Sequence, residues 1–266
     1  MFRVIVYFKS FISPQGASSG ATAACYKNRD LFIKNSRKLL PGMRLVFGSL
    51  GNTLAAAIPA IRAVLPRAVF CDAAYAGVSY GTWDGKIEFL KRSPSRHVMV
   101  FGADSFAAQS NIPIALKVTV AHELAHSCHF NALKLTLGKF KKCSLAQLLW
   151  IEGFAGYLAG RIAWPASLTG EGCPWKKSIY SDNVSGLASG FLKVSGRTVS
   201  DERQLQRWFG TDPCAEIPPK AAYYLGWRLI GELEGKHGLP TIMRWPLGKA
   251  GAVVNDWLGR LGSDNS

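Results

Sequence analysis

The chain has 266 residues, of which 48% are hydrophobic and 11% aromatic, a composition typical of a folded globular protein that excludes a disordered one. Its formal charge is +15, from 32 Lys and Arg against 17 Asp and Glu. Such a charge favours anionic partners, namely nucleic acid, lipid headgroups, acidic envelope polymers or acidic substrates, and a solvated basic surface without a special partner is the alternative. No basic tract is long or interleaved with aromatics, so specific nucleic-acid binding is not expected, and without a run of 18 apolar residues no membrane-spanning helix is predicted.

The first 45 residues are predicted to be an N-terminal arm or export segment that precedes one domain over residues 46–266. Val4 to Phe8 form a short apolar run, and Ala21-Thr22-Ala23 has the small-x-small form of a signal cleavage site. Lys9 interrupts the apolar region. Two interpretations therefore stay open: export, which the cleavage-like site favours, and an irregular N-terminal arm of a cytoplasmic protein.

The predicted elements follow in chain order: a helix over 52–64, β-runs near 67–74, 77–83, 87–90 and 97–101, and helices over 114–135, 145–162 and 219–233. Residues 163–200 are predicted to be mainly loop. The strands precede the run of helices, and this order favours an α+β fold over an alternating βαβ fold. The sheet part is predicted to cover about 46–112 and the helical part about 113–266.

The six cysteines permit three disulfides by number: Cys25, Cys71, Cys128, Cys143, Cys173 and Cys214. Cys173 and Cys214 lie in loop-like sequence that suits a bridge in an exported protein. Cys128 lies in a helical stretch and is equally compatible with a buried thiol. No pair has C-x-x-C spacing, so a cysteine zinc site is not predicted.

The segment from His122 to His126 reads H-E-L-A-H and matches H-E-x-x-H inside the predicted helix over 114–135. Side chains at i and i+4 lie on nearly the same helix face, about 6 Å apart along the axis, so both imidazoles can bind one Zn²⁺. Glu123 is rotated away by about a quarter-turn, where its carboxylate can take a proton from a metal-activated water. The alternative is a chance match, two packed histidines beside a surface glutamate, in a chain with only five histidines.

The third ligand decides the class of zinc enzyme. His129 and Ala132 stand where metzincins need Gly and His, and the inverted H-x-x-E-H motif is absent, so both classes are excluded. Glu152 is the candidate, because it is a lone acid in the apolar helix predicted over 145–162 and a buried carboxylate needs a partner or a metal. A short basic loop near 136–143 lets two helices pack antiparallel and bring Glu152 to the histidines. An exposed or salt-bridged Glu152 stays an alternative.

Two segments carry a resemblance to known zinc enzymes. H-E-x-x-H followed by W-x-E-G-x-A-x-Y at 150–157 resembles the gluzincins, whose zinc is held by two His and one Glu. The segment from Pro218 to Arg228 resembles the Pro-then-Tyr-then-Gly segment of a little-studied family of predicted bacterial zinc-dependent proteases. The likeness covers roughly residues 95–240, and the tyrosine segment is its weaker part.

This resemblance implies a zincin-like metallopeptidase fold, in which a small N-terminal mixed sheet lies beside the active-site helix and a helical part follows. It implies that Zn²⁺ is bound by His122, His126 and Glu152. Glu123 is then the general base and acid in the hydrolysis of peptide bonds by metal-activated water. The implied partner is a protein or peptide substrate.

In gluzincins a downstream Tyr or His often donates a hydrogen bond to the developing oxyanion. Tyr223 and Tyr224 both suit this role, but adjacent helix positions point about 100° apart, so only one can face the site; we favour Tyr224. His237 is an alternative donor, and tyrosines that only pack are the other interpretation. Gly156 stands where thermolysin-type enzymes have an Asp that orients a His, so Asp104 is predicted to do this instead.

Other functions stay open at this level. The same residues suit a zinc hydrolase that acts on a non-peptide amide or an ester, or a non-catalytic basic binding protein with a structural metal site. A structural site would need four protein ligands and gives Glu123 no role, so catalysis is favoured. The resemblance also implies that the strand predicted at 97–101 borders the cleft, where its edge could pair with an extended peptide. His97 is predicted to be structural, His129 is predicted to be a satisfied or solvated histidine beyond reach of the metal, and the oligomeric state is left open.

Overall fold

The computed structural model describes residues 3–6, 19–163, 178–210 and 217–263. The strands are β1 (Arg3–Val6), β2 (Ala73–Gly77), β3 (Gly85–Leu90) and β4 (Ser93–Gly102). The helices are α1 (Ser19–Val64), α2 (Ala103–Ala107), α3 (Ile112–Leu133), α4 (Leu137–Lys141), α5 (Leu145–Ala163), α6 (Ser178–Ser181), α7 (Val184–Leu192), α8 (Glu202–Phe209), α9 (Ala221–His237), α10 (Leu239–Ile242) and α11 (Leu247–Ser263). A small sheet and a mostly helical remainder confirm the predicted α+β class.

The four described strands form one mixed sheet in the order β1-β2-β4-β3. β1 and β4 run parallel to β2, and β3 runs antiparallel to β4. Phe101 on β4 is paired with Ala76 on one side and Gly85 on the other. The prediction that the strand at 97–101 offers a free edge is therefore wrong, because β2 and β3 pair along its two sides and β3 is the edge strand.

α1 is 46 residues long and continues without interruption through residue 45, where the domain boundary is predicted. The helix predicted over 52–64 is only its C-terminal part. The buried side chains of α1 recur at helical spacing: Met43, Val46, Leu50, Leu54, Ala57 and Ile61. Through these side chains one side of α1 packs against α2 and α3. The domain boundary at residue 45 stays a prediction.

α1 also corrects the expectation that no helix can span a membrane. An 18-residue window within Arg29–Val64 has a mean hydropathy of 1.3, and 28% of that window is buried. By length and composition this helix is apolar enough to cross a bilayer, although core helices and signal sequences pass the same test. The criterion of an unbroken apolar run missed it, because polar residues such as Asn52 interrupt a segment without charge from Leu45 to Ile61.

Three of the described helices, α4, α6 and α7, lie where loop was predicted. α7 falls within 163–200, where Gly186 and Gly190 lower the helix propensity of the sequence. Leu187 and Phe191 are buried on this helix, which packs against α11, so tertiary packing stabilises what propensity does not. α4 likewise covers most of the basic segment that was predicted to be a loop.

The described cysteines are not bridged. Cys71, Cys128 and Cys143 are buried free thiols, so three disulfides do not form in this fold. Burial raises the pKa of Cys128 to about 12, and the thiol therefore stays protonated. The side chains of Cys25, Cys173 and Cys214, and with them the bridge predicted between the last two, lie outside the described residues.

Candidate active site

α3 presents the H-E-x-x-H motif in the middle of a regular helix. Asn111 caps the start of α3, where its side chain accepts a hydrogen bond from the Ile114 N–H, and Pro113 lies in the first turn. The helix ends at Leu133, and Lys134 follows in the left-handed region with φ 48°. Residues 123–130 are all buried, so the motif is enclosed by the fold rather than exposed on its surface.

The two histidines converge on Glu152 from the neighbouring helix α5. The Nε2 atoms of His122 and His126 are each 3.3 Å from the same oxygen, Oε2 of Glu152. One ligand atom from each of the three residues lies within 4.8 Å of the other two. Ligands bound tetrahedrally at about 2.0–2.1 Å from one ion are separated by about 3.3–3.4 Å. The spacing therefore fits a single Zn²⁺.

The hydrogen bonding of the acids also fits a cation. Glu152 Oε2 and Glu123 Oε2 are buried, and no described residue makes a hydrogen bond of good geometry to either oxygen, although both imidazoles lie 3.3 Å from Glu152 Oε2. Buried carboxylate oxygens without a partner are costly, and a divalent ion bound by Glu152 and the imidazoles, next to Glu123, would remove that cost. His122, His126 and Glu152 would supply three ligands to such an ion, one fewer than the four protein ligands of a structural zinc site.

The electrostatics give the two acids different roles. Burial alone would raise the pKa of Glu152, but His126 and His122 hold that pKa well below its usual range, so Glu152 is ionised. Burial raises the pKa of Glu123 to about 7. The charge of His122 opposes this rise, and the nearby Glu152 carboxylate adds to it. A proton acceptor whose pKa lies near neutrality suits general base catalysis, and a bound cation would lower this pKa further.

Tyr223, not Tyr224, is the tyrosine that lies beside this site. Its ring centroid is 6.3 Å from that of His122, and its hydroxyl is hydrogen-bonded to Glu152. Enclosure in the site and the two nearby carboxylates raise the pKa of Tyr223 well above 10, so the hydroxyl keeps its proton and is a donor. Tyr224 instead stacks on Tyr180, with ring centroids 5.1 Å apart. The geometry thus disfavours the choice of Tyr224 made from the sequence.

Two glycines allow α9 to bring Tyr223 this close to α5. A Cβ atom on Gly153 would lie 2.5 Å from the backbone of Gly226, and one on Gly226 would lie 2.5 Å from the Leu149 carbonyl oxygen. Only hydrogen fits at both positions, so the two helix backbones are in direct contact. Because Gly153 directly follows Glu152, this contact sets the distance between the Tyr223 hydroxyl and the metal ligands.

Gly85, which sequence reasoning missed, contacts Glu123, the predicted general base. A Cβ atom on Gly85 would lie 2.6 Å from Thr119 Cγ2 and 3.0 Å from Glu123 Cγ. The first residue of the edge strand β3 therefore lies directly against the side chain of Glu123. A glycine at the start of a β-run gives no signal in the sequence that would connect it with a residue on α3.

Asp104 does not orient a zinc ligand, and this corrects the sequence-based assignment. Its carboxylate accepts hydrogen bonds from the Ser79 N–H at 2.6 Å and the Gly81 N–H at 2.8 Å. Tyr80 and Gly81 have φ of 55° and 68°, so the buried acid stabilises a turn with unusual backbone angles. The buried carboxylate of Asp104 thus accepts its hydrogen bonds from backbone N–H groups and not from a histidine.

The other histidines lie away from the three ligands. His237 is exposed at the end of α9, where its ring contacts that of Trp245, and about 21 Å of helix separates it from Tyr223. It therefore cannot be the alternative oxyanion donor. His97 is buried, with its Nε2 atom 3.0 Å from Ser127 Oγ, which ties β4 to α3. This is the structural role predicted for it.

His129 makes the stability of the fold depend on pH. It is fully buried against Phe154, neither ring nitrogen has a partner among the described residues, and burial together with His126 lowers its pKa from 6.5 to about 3. As pH falls, His129 is therefore protonated at a higher pH in the unfolded chain than in the folded chain. The free energy of unfolding should fall by up to about 1.4 kcal/mol per pH unit between about 6.5 and 3.

We expect His129→Leu to remove this part of the pH dependence. The measurement is urea unfolding of the metal-free wild type and variant between pH 7 and pH 4, with chelator present so that zinc release does not contribute. The difference between the two proteins should grow as pH falls. Parallel curves for wild type and variant would contradict the assignment of a neutral His129.

Comparison with known proteins agrees with the geometry. A family model, DUF2268, described as a predicted Zn-dependent protease, matches residues 95–253. The matched region contains all three candidate ligands, Glu123 and Tyr223. Among curated proteins and among solved structures, no significant match is found. The family description names zinc and the three ligands fit it, so the cofactor is Zn²⁺.

Proposed function

Because the chain belongs to the DUF2268 family of predicted Zn-dependent proteases, we propose that it is a gluzincin-type zinc metallopeptidase with a zincin-like active site. The observation that carries the proposal is the convergence of His122 Nε2 and His126 Nε2 on Glu152 Oε2 at 3.3 Å. Glu123 lies beside this group, buried and outside the ligand set. A purely structural metal site would have no use for such an acid.

His122, His126 and Glu152 hold the metal in this mechanism. Bound zinc supplies the Lewis acidity that lowers the pKa of a water molecule and polarises the substrate carbonyl. Glu123 accepts the proton of the attacking water and then delivers it to the leaving nitrogen. Its burial, which raises its pKa to about 7, makes both the acceptance and the release of the proton feasible near neutral pH.

Tyr223 is assigned the oxyanion-stabilising role because its protonated hydroxyl lies next to Glu152. We expect Tyr223→Phe to lower kcat by about 10²–10³-fold, the effect of removing one such donor. Tyr224→Phe is the matched control: it removes the same atom from the adjacent residue and should leave kcat within a few-fold. Equal losses in the two variants, with equal zinc content, would show that the hydroxyl of Tyr223 has no special role.

The edge strand β3 is the proposed binding element for an extended peptide. It lies at the edge of the sheet, and its first residue, Gly85, contacts Glu123. A peptide that adds a strand to β3 would place its backbone amides beside the general base, and backbone hydrogen bonds would hold it there. This arrangement favours a peptide over a compact small molecule as the substrate.

The test combines metal analysis with an unbiased substrate screen. Purified protein should contain about one zinc per chain and should cleave members of a peptide library; a chelator should abolish cleavage, and added Zn²⁺ should restore it. Absence of zinc from the protein would refute the proposal. Turnover of ester or non-peptide amide substrates alone would reassign the substrate class, and bound zinc without any turnover would support a non-catalytic binding protein.

A further inference from the structure

Exposed hydrophobic side chains are concentrated on α1. Seven large hydrophobic side chains are exposed in the described part of the chain, and four of them lie on this helix: Leu31 at 58%, Ile33 at 61%, Leu40 at 45% and Leu45 at 46%. Single exposed hydrophobics are ordinary, but several on one element mark an interaction surface. They lie within fifteen consecutive residues of one helix.

The same part of α1 is strongly basic. From Leu31 to Val64 the sequence has five Lys and Arg and no Asp or Glu. Lys34, Arg37 and Lys38 are exposed among the apolar side chains described above. A stretch of 34 residues without an acid is unusual for a solvated helix, in which charges of both signs alternate.

The segment that carries these side chains precedes the buried part of α1. The stripe that includes Met43, Val46 and Leu50 is buried against the body of the protein. No residue from Leu31 to Gly42 is buried, so the exposed hydrophobic and basic side chains of this segment face solvent. Basic side chains beside aliphatic ones suit the boundary between lipid headgroups and acyl chains, because the ammonium and guanidinium groups meet phosphate while the aliphatic parts enter the apolar layer.

We propose that the exposed segment of α1 from Leu31 to Leu45 binds the surface of a bilayer that contains anionic lipids. A second copy of the chain is a poor partner for this surface, because two acid-free basic helices repel each other. A nucleic acid would be expected to meet exposed aromatic residues, but Phe32 is only half-exposed and packs against Tyr80. Four basic residues between Leu31 and Leu45, together with the buried stripe, favour a helix that lies on the bilayer over one that spans it.

The experiment is co-sedimentation of the full-length zinc-loaded protein with phosphatidylcholine vesicles, with and without phosphatidylglycerol. We expect binding only to vesicles with the anionic lipid, and we expect added salt to weaken it. Arg37→Glu with Lys38→Glu should weaken binding by at least about 100-fold, since each basic residue near an anionic membrane surface contributes to the binding affinity and each acidic replacement is repelled. Leu31→Ser with Ile33→Ser should weaken it by about tenfold or more.

A matched control separates this surface from general basicity. Lys141→Glu with Lys142→Glu makes the same charge change on two adjacent exposed residues at the C-terminal end of α4. This control should keep wild-type binding to anionic vesicles. The proposal is overturned if the wild type does not bind anionic vesicles, or if the two charge-reversal variants lose binding equally. Zinc content and peptide cleavage measured on every variant verify that each one is folded.

Discussion

Replacing Glu123 with glutamine is expected to lower kcat/KM by about 10²–10⁴-fold while zinc stays bound, because the amide keeps the shape of the side chain and cannot accept the proton. Glu123 is not part of the ligand group, so the variant should bind the metal as the wild type does. Its thermal stability should be equal or higher, since a neutral amide at this buried position avoids the desolvation that raises the pKa of Glu123.

The pH profile of the wild type gives an independent reading of the same residue. A general base must be deprotonated, so cleavage should fall as pH drops through the pKa of Glu123. That pKa is about 7 in the metal-free protein, and a bound cation shifts it lower. Glu202→Gln, an exposed acid on α8, is the control and should keep full activity. A Glu123→Gln variant that retains more than a tenth of the wild-type rate would contradict its role as the base.

Removal of Glu152 should abolish tight zinc binding. Loss of groups that only support metal ligands weakens affinity by about 10–100-fold, so loss of a direct ligand should exceed about 100-fold. Competition with a chromophoric chelator measures the affinity of wild type and Glu152→Ala. Zinc should raise the melting temperature of the wild type, because a ligand that binds only the folded state stabilises it, and this rise should be absent in the variant.

Glu152→Gln separates charge from shape. The amide keeps the length of the side chain and one carbonyl oxygen but removes the negative charge, so its zinc affinity should lie between those of the wild type and Glu152→Ala. If Glu152→Ala kept wild-type zinc content and affinity, the third ligand would have to be another residue. The stabilisation by His126 and His122 that lowers the pKa of Glu152 would then have only an electrostatic role.

The metal-binding group was accessible from sequence because helix geometry is regular. Residues four apart on a helix share a face whatever the rest of the fold does, so His122 and His126 could be paired without a structure. Glu152 was found by a cost argument, since an acid in an apolar helix needs a partner. Asp104 was assigned by comparison with thermolysin-type enzymes, and this assignment failed because backbone N–H groups of a turn donate to its buried carboxylate.

The choice between Tyr223 and Tyr224 depends on how α9 is rotated about its axis. That rotation is set where Gly153 meets Gly226, a contact between residues far apart in the chain. Spacing within α9 carries no information about it. The extent of α1 was missed for a related reason: Pro41 and nearby glycines weaken the local helical signal, while the stripe buried against α2 and α3 stabilises the helix.

The position of the ligands along the chain implies an order of assembly. Glu152 follows His122 by 30 residues, whereas Tyr223 follows Glu152 by 71. Closing the longer loop costs about 0.8 kcal/mol more entropy, and the ribosome delivers α3 and α5 before α9. We therefore expect α3 and α5 to bind the metal before α9 packs against them and brings Tyr223 to the site. A newly made chain that has acquired its zinc would still lack the hydroxyl to which the proposed mechanism assigns the oxyanion.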